Sequence, residues 1–129
     1  MNMESIEILR KYTNYAVIGV TTDHEKYGYK VYKKLQEIGK KVYGISPIYQ
    51  EIEGQKVYKS LMDIEPPVDV VVFVVNKKYG MDYIKELRGL GIKYAWMQPG
   101  TYDDDLLDAF HEQGIDTILD CVLVRSKNL

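Results

Sequence analysis

Gly19, Thr21, Thr22, His24, Lys26 and Gly28 fall within ten consecutive residues, GVTTDHEKYG. Two glycines bracketing hydroxyl donors, an imidazole and an ammonium are the groups an oxyanion needs. Glycine lets a backbone N–H approach a ligand closely, and free amides at a helix start carry the positive end of the helix dipole. Gly19 closes the apolar run YAVIG and Gly28 opens a Lys/Tyr-rich segment, so loop and helix start would face one point. A side chain at 28 is expected to intrude where a phosphate approaches. The same residues would also serve a plain strand-to-helix turn with solvated polar groups.

Two features argue against an ordinary dinucleotide. The Gly19 to Gly28 interval is longer than G-x-G-x-x-G allows. The second apolar run ends Ile45-Ser46-Pro47, without the carboxylate that clasps an NAD ribose, and Glu51 lies further along. An NAD(P)-dependent redox protein is therefore the weaker alternative. Neither His24 nor His111 has a partner that spacing can place, so no nucleophilic triad is read. Asp103, Asp104 and Asp105 suit the start of a helix rather than a metal. Cys121, the single cysteine among 129 residues, excludes an internal disulfide and reads as a small buried hydrophobe.

The elements that must position these groups alternate along the chain. Apolar runs of strand length are YAVIGV (15–20), KVYGIS (41–46), KVY (56–58), VDVVVFVV (68–75), KYAWMQ (93–98) and DTILD (116–120). Their continuous apolarity suits strands covered on both faces. Between them, Val31, Leu35 and Ile38 make one helical stripe and Met81, Ile84 and Leu87 another, closed by Gly39 and Gly91. A further helix starts at Asp103 and stops at Gly114, a first helix runs from Met3 to Tyr12, and a short turn at 60–64 ends before Pro66 and Pro67. Strands alternating with helices predict an α/β fold, a doubly wound parallel sheet in the order 3-2-1-4-5-6 between two helical layers. One domain spans 1–129. Ligands of such sheets bind beyond the carboxyl ends of the strands, where strands one and four diverge.

The formal net charge of -2 gives no broad attraction to nucleic acid or an anionic membrane, so any anion site is local. MNMESIEILRKY lacks the apolar run of a signal peptide, and no window is long and apolar enough to span a bilayer. The expected setting is cytoplasmic.

From Tyr15 to Cys121 the sequence resembles the small stand-alone coenzyme A-binding proteins. Their Rossmann-like domain is similar to the CoA-binding domain of the succinyl-CoA synthetase α subunit. The segments VYKSL-x-DI at 57–64 and WMQPG at 96–100 carry the resemblance most specifically. It implies that Gly19, Val20, Thr21, Thr22, Lys26, Gly28 and Tyr29 hold the CoA diphosphate. It implies further that Ser46, Pro47 and Tyr49 flank the adenosine, that Val75, Asn76 and Lys78 touch the nucleotide or the pantetheine arm, and that Met97 and Gln98 line the cleft. Ser46 stands where the family commonly has Asn, Lys26 where it has Arg, and Lys77 where Pro is frequent. Lys26, Lys77 and Lys78 are candidates for the extra charge that the ribose 3'-phosphate demands. The resemblance implies binding of coenzyme A or an acyl-CoA without catalysis. The alternative is the CoA-binding component of a multi-chain acyl-CoA ligase or synthetase. A homo-oligomer and a protein partner, including a regulatory one, stay open.

Overall fold

The computed structural model describes residues 4–65 and 67–129, so Met3 and Pro66 lie outside the described residues. The strands are β1 (Asn14–Ile18), β2 (Lys41–Ile45), β3 (Glu51–Ile52), β4 (Gln55–Tyr58), β5 (Val70–Phe73), β6 (Tyr94–Met97) and β7 (Asp116–Leu119). The α-helices are α1 (Ser5–Lys11), α2 (Tyr27–Glu37), α3 (Lys77–Gly89), α4 (Asp104–Glu112) and α5 (Val122–Arg125).

One sheet runs β3-β4-β2-β1-β5-β6-β7. All its pairings are parallel except β3 with β4. The six strands expected from the sequence keep the expected order, and β3 is an added edge strand. It escapes an apolar-run search because it is two residues long and folds back through Glu53 and Gly54, both at positive φ (51° and 81°). Consecutive left-handed residues make the tight hairpin turn that matches strand twist.

Strand alternation divides the core between the two faces. Tyr15 and Val17 meet Leu9 of α1, Val31 and Leu35 of α2 and Val122 of α5. Ala16, Ile18 and Phe73 meet Ile84 of α3 and Leu106 and Phe110 of α4. Each such side chain gains about 1.5–3 kcal/mol on burial, so β5, buried throughout, and β1, buried from Tyr15 to Ile18, anchor the sheet. The α3 stripe differs from expectation in one place. Met81 is 46 % exposed, and Gly80 takes the inner position beside Ile84 and Leu87. A Cβ at 80 would lie 2.6 Å from Leu106 Cδ2, so this is where α3 and α4 touch.

The C-terminal segment also departs from the sequence reading: β7 leads directly into α5, with Cys121 as its N-cap residue. Asp120 fixes the junction. Its Oδ2 accepts from Ser5 Oγ at 2.5 Å and Arg125 Nε at 2.7 Å, and its Oδ1 from the Cys121 amide at 2.7 Å. Partial burial pushes the carboxyl pKa up, but these bonds outweigh it and the net direction is down.

Gly28 sits at the other critical junction. A Cβ there would lie 2.1 Å from the Gly19 carbonyl oxygen, so the start of α2 rests on the backbone at the end of β1. Gly28 serves backbone contact first, and a bulky residue there cannot leave the fold intact.

Two stability predictions follow from these junctions. In urea titrations Gly28→Ala should lose about 1–3 kcal/mol through overpacking. Gly89→Ala, where a Cβ meets nothing within 4 Å, should gain up to about 1 kcal/mol of helix propensity. Equal effects would remove the close-contact argument. For Asp120, a folded pKa below the unfolded one means the stabilisation is complete above the unfolded value and is lost as pH falls through the folded one. Asp120→Asn should therefore cost roughly 1–3 kcal/mol at neutral pH, a gap that closes as pH falls through and below the ordinary carboxylate range. A gap independent of pH would show that the carboxylate charge is not its source.

Candidate functional site

Beyond the carboxyl ends of β1, β2, β5 and β6 lies a cleft of two lobes, about 590 and 570 Å³ in volume. Both fall in the range of about 300–1,000 Å³ typical of small-ligand sites. The lobes share Lys26, Val74 and Val75. They therefore meet where β1 and β5 lie side by side and the chain departs in opposite directions, the switch point of the sheet.

The junction is built from backbone. Gly19 turns the chain at φ 101°, and a Cβ there would press to 2.8 Å on Val75 Cγ1. This brings the loop after β1 onto the end of β5. Lys26 is the N-cap residue of α2 and supplies no side-chain cap; the Tyr29 amide donates to its carbonyl at 3.1 Å, and the Tyr27 and Gly28 amides have no acceptor among the described residues. An ammonium and an uncapped helix start thus stand together.

The first lobe is bounded by Gly19, Val20 and Thr21 on one side and by Ser46, Pro47 and Tyr49 after β2. Thr21 Oγ1 lies 3.1 Å from Tyr49 Oη and accepts from the Asp23 amide at 3.2 Å. Hydrogen bonds with Thr21, then Thr22, hold the Tyr49 phenol below its ordinary pKa. Ser46 is buried, and its hydroxyl accepts from the Ile48 amide at 3.1 Å, shaping the turn into Pro47. The far wall comes from α3, through Tyr79, Asp82 and Tyr83. None of these three is among the residues that the resemblance implies. The spacing 79, 82, 83 is the i, i+3, i+4 signal of one helix face.

The second lobe runs from Lys26 past Asn76 and Gln98 to Thr101 and Cys121. Asn76 caps α3, accepting from the Lys78 amide at 3.0 Å. The Gln98 amide is engaged at both ends: Oε1 accepts from the Val122 amide at 2.7 Å and Nε2 donates to Cys121 Sγ at 3.4 Å. Cys121 is partly exposed and is a free thiol at the end of this lobe.

Five of the residues implied by the resemblance stand outside both linings. Thr22 is exposed on the loop. Gly28 lies beneath Gly19. Tyr29 stacks on His24 at 4.0 Å between ring centroids and donates from Oη to Glu53 at 2.8 Å. Lys78 lies over its neighbour's ring, 5.0 Å from the Tyr79 centroid. Met97 is fully buried in the core under α3 and α4. Lys77 pairs with Asp103 at 3.7 Å, leaving Lys26 as the cation common to both lobes. Among the described residues no group of three or more His, Cys, Asp or Glu side chains is arranged to hold a metal ion, and no helix is long and apolar enough to cross a membrane.

Known proteins resemble this chain in sequence and in fold. Over 79 residues, 60% of this chain, the sequence is 40% identical to the acetate–CoA ligase (ADP-forming) II subunit alpha of Pyrococcus furiosus. The chain spans only 17% of that subunit. A hypothetical protein from Pyrococcus horikoshii OT3 superposes with a TM-score of 0.89 at 28% identity, over 100% of this chain and 97% of that one. A conserved hypothetical protein from Pyrococcus furiosus does so with a TM-score of 0.82 at 33% identity, over 88% and 98%. Residues 13–127 match the family described as CoA binding domain, and the chain belongs to that family.

Proposed function

We propose that this protein binds coenzyme A or an acyl-CoA in the two-lobed cleft and does no chemistry on it. The diphosphate sits at the junction beside Lys26 and the uncapped start of α2. Adenosine occupies the lobe beside Ser46, Pro47 and Tyr49, and the pantetheine arm runs along Val75, Asn76 and Gln98 toward Cys121. The observation that carries this reading is the meeting of two lobes at one cation and one set of open amides. Such a cleft suits a long ligand whose negative charge lies in its middle. The ends of the cleft differ as the ends of CoA do, one flanked by tyrosines and the other ending at a thiol. Membership of the CoA binding domain family supports the same ligand.

Binding without catalysis is the simpler reading because neither imidazole lines the cleft. His24 is stacked on Tyr29, and His111 Nε2 lies 2.8 Å from Thr117 Oγ1. The Gln98 amide is held by Val122 and Cys121, so it positions the wall rather than moving a proton. A cytoplasmic setting belongs to this reading, and the free thiol of Cys121 is consistent with it.

The identity to a ligase subunit favours a second reading, in which this chain is the CoA-binding component of a multi-chain acyl-CoA ligase. Copurification with a partner chain and CoA-dependent ATP turnover by the pair would establish it.

Calorimetry on the purified chain should show CoA binding more tightly than dephospho-CoA or NAD. Equal binding of all three, or none, would refute the assignment. Lys26→Ala should weaken CoA and acetyl-CoA alike by about 10- to 100-fold, the equivalent of one charge-assisted hydrogen bond of roughly 1.5–3 kcal/mol. An unchanged dissociation constant would move the diphosphate away from this junction.

A further inference from the structure

Lys26 and Asp82 are the two charged residues that line the first lobe. A cation there needs no comment if the ligand is anionic, but a carboxylate does. Asp82 projects from α3, on the face that Tyr79 and Tyr83 share, and Lys26 stands at the start of α2. The lobe is therefore polarised, basic at the diphosphate junction and acidic on the α3 wall. Resting on the CoA reading above, we propose that Asp82 determines base specificity by accepting a hydrogen bond from the exocyclic amine of adenine.

The argument is one of charge and inventory. An ionised carboxylate only accepts hydrogen bonds, so it repels phosphate and needs a donor on the ligand. In the nucleotide half of CoA the donors are the adenine amine and the ribose 2'-hydroxyl. The hydroxyl lies next to the 3'-phosphate, where a carboxylate would meet a like charge, whereas the amine is on the far edge of the base. The apolar surroundings fit the same placement. Ile48, 78 % exposed after β2, and Tyr79, 48 % exposed on α3, bring apolar surface to this lobe from two different elements. A base lying between them would have its edge free to meet Asp82. No ion pair of Asp82 occurs among the described residues, so its charge is not committed within the fold.

The test compares CoA, deamino-CoA (hypoxanthine in place of adenine) and dephospho-CoA on the wild-type chain and on Asp82→Asn. Asp82 is exposed on its helix, so the thermal midpoint should not move. Wild type should prefer CoA over deamino-CoA by about tenfold, the loss of one hydrogen bond to a charged acceptor. Asp82→Asn should bring that ratio to unity or invert it, because a carboxamide can donate to the hypoxanthine carbonyl. The same ratio in both proteins would overturn the proposal while leaving the site itself standing. A gain for CoA with none for dephospho-CoA would place the carboxylate against the 3'-phosphate and overturn it too. Failure of the wild-type chain to bind any of the three would bring down the CoA reading and this inference together.

Discussion

The contact on which the cleft depends is backbone against backbone, where the first turn of α2 rests on the carbonyl of Gly19 with no side chain between them. A Cβ at residue 28 would come within 2.1 Å of that oxygen, which any larger residue could relieve only by lifting the helix away. With the helix seated, its uncapped start and Lys26 lie at the mouth of the β1–β5 boundary rather than a turn above it. Gly19 makes the complementary demand. Its positive φ and its contact with Val75 close the loop onto the neighbouring strand. Two glycines thus convert an ordinary parallel pairing into a place where amides, a cation and two hollows converge.

Most polar side chains near the cleft are spent on holding its shape. Ser46 secures the turn into Pro47, Asn76 caps α3, Gln98 ties β6 to α5, and Asp120 joins β7, α1 and α5. In the proposed reading, anion recognition falls to backbone amides and one lysine. That division suits a protein whose net charge is -2, since fixed dipoles act at short range and ask for no surplus of cations. It also explains why the residues closest to the ligand path look unremarkable in sequence: a Gln or Asn engaged by its own fold has the same letter as one reaching for a ligand.

What the sequence made legible, and what it did not, follows from the range of each signal. Both-face burial wrote β1 and β5 as continuous apolar runs, and Asp103, Gly39, Gly91 and Gly114 marked helix ends that the fold keeps. These are local demands on residue type. The short β3 and the single-turn α5 carry too few residues for a period, and Met81 yields its inner place because Gly80 brings α4 too close. In the site, the loop after β1 was readable from its glycines, hydroxyls and lysine. Met97 was not separable from Gln98, since both end the same apolar run and both are buried, Met97 in the core and Gln98 along the second lobe. Tyr29 and Lys78 were drawn away by partners distant in sequence or beside them, Glu53 and the Tyr79 ring. Asp82 was hidden for a different reason, as an acidic residue on an amphipathic helix normally marks nothing but solvent.

Glu53 extends the same logic from the floor of the cleft to its rim. Hydrogen bonds from Lys33 and then Tyr29 hold its carboxyl below the ordinary carboxylate range, and the Lys33 contact is 2.8 Å. The residue bends the β3–β4 hairpin with a left-handed backbone and fastens that hairpin to α2. The chain entering the hairpin carries Ile48 and Tyr49, and Tyr49 meets Thr21 in the loop on the other side of the first lobe. The lobe is therefore closed on this side by two ties, one between side chains of the hairpin tip and α2, the other between phenol and hydroxyl across the opening. The first is exposed and the second part-buried, and each is weak individually. In the proposed reading, the wall held by these ties is the adjustable part of the binding surface, and the β1–α2 contact beneath it is the fixed part.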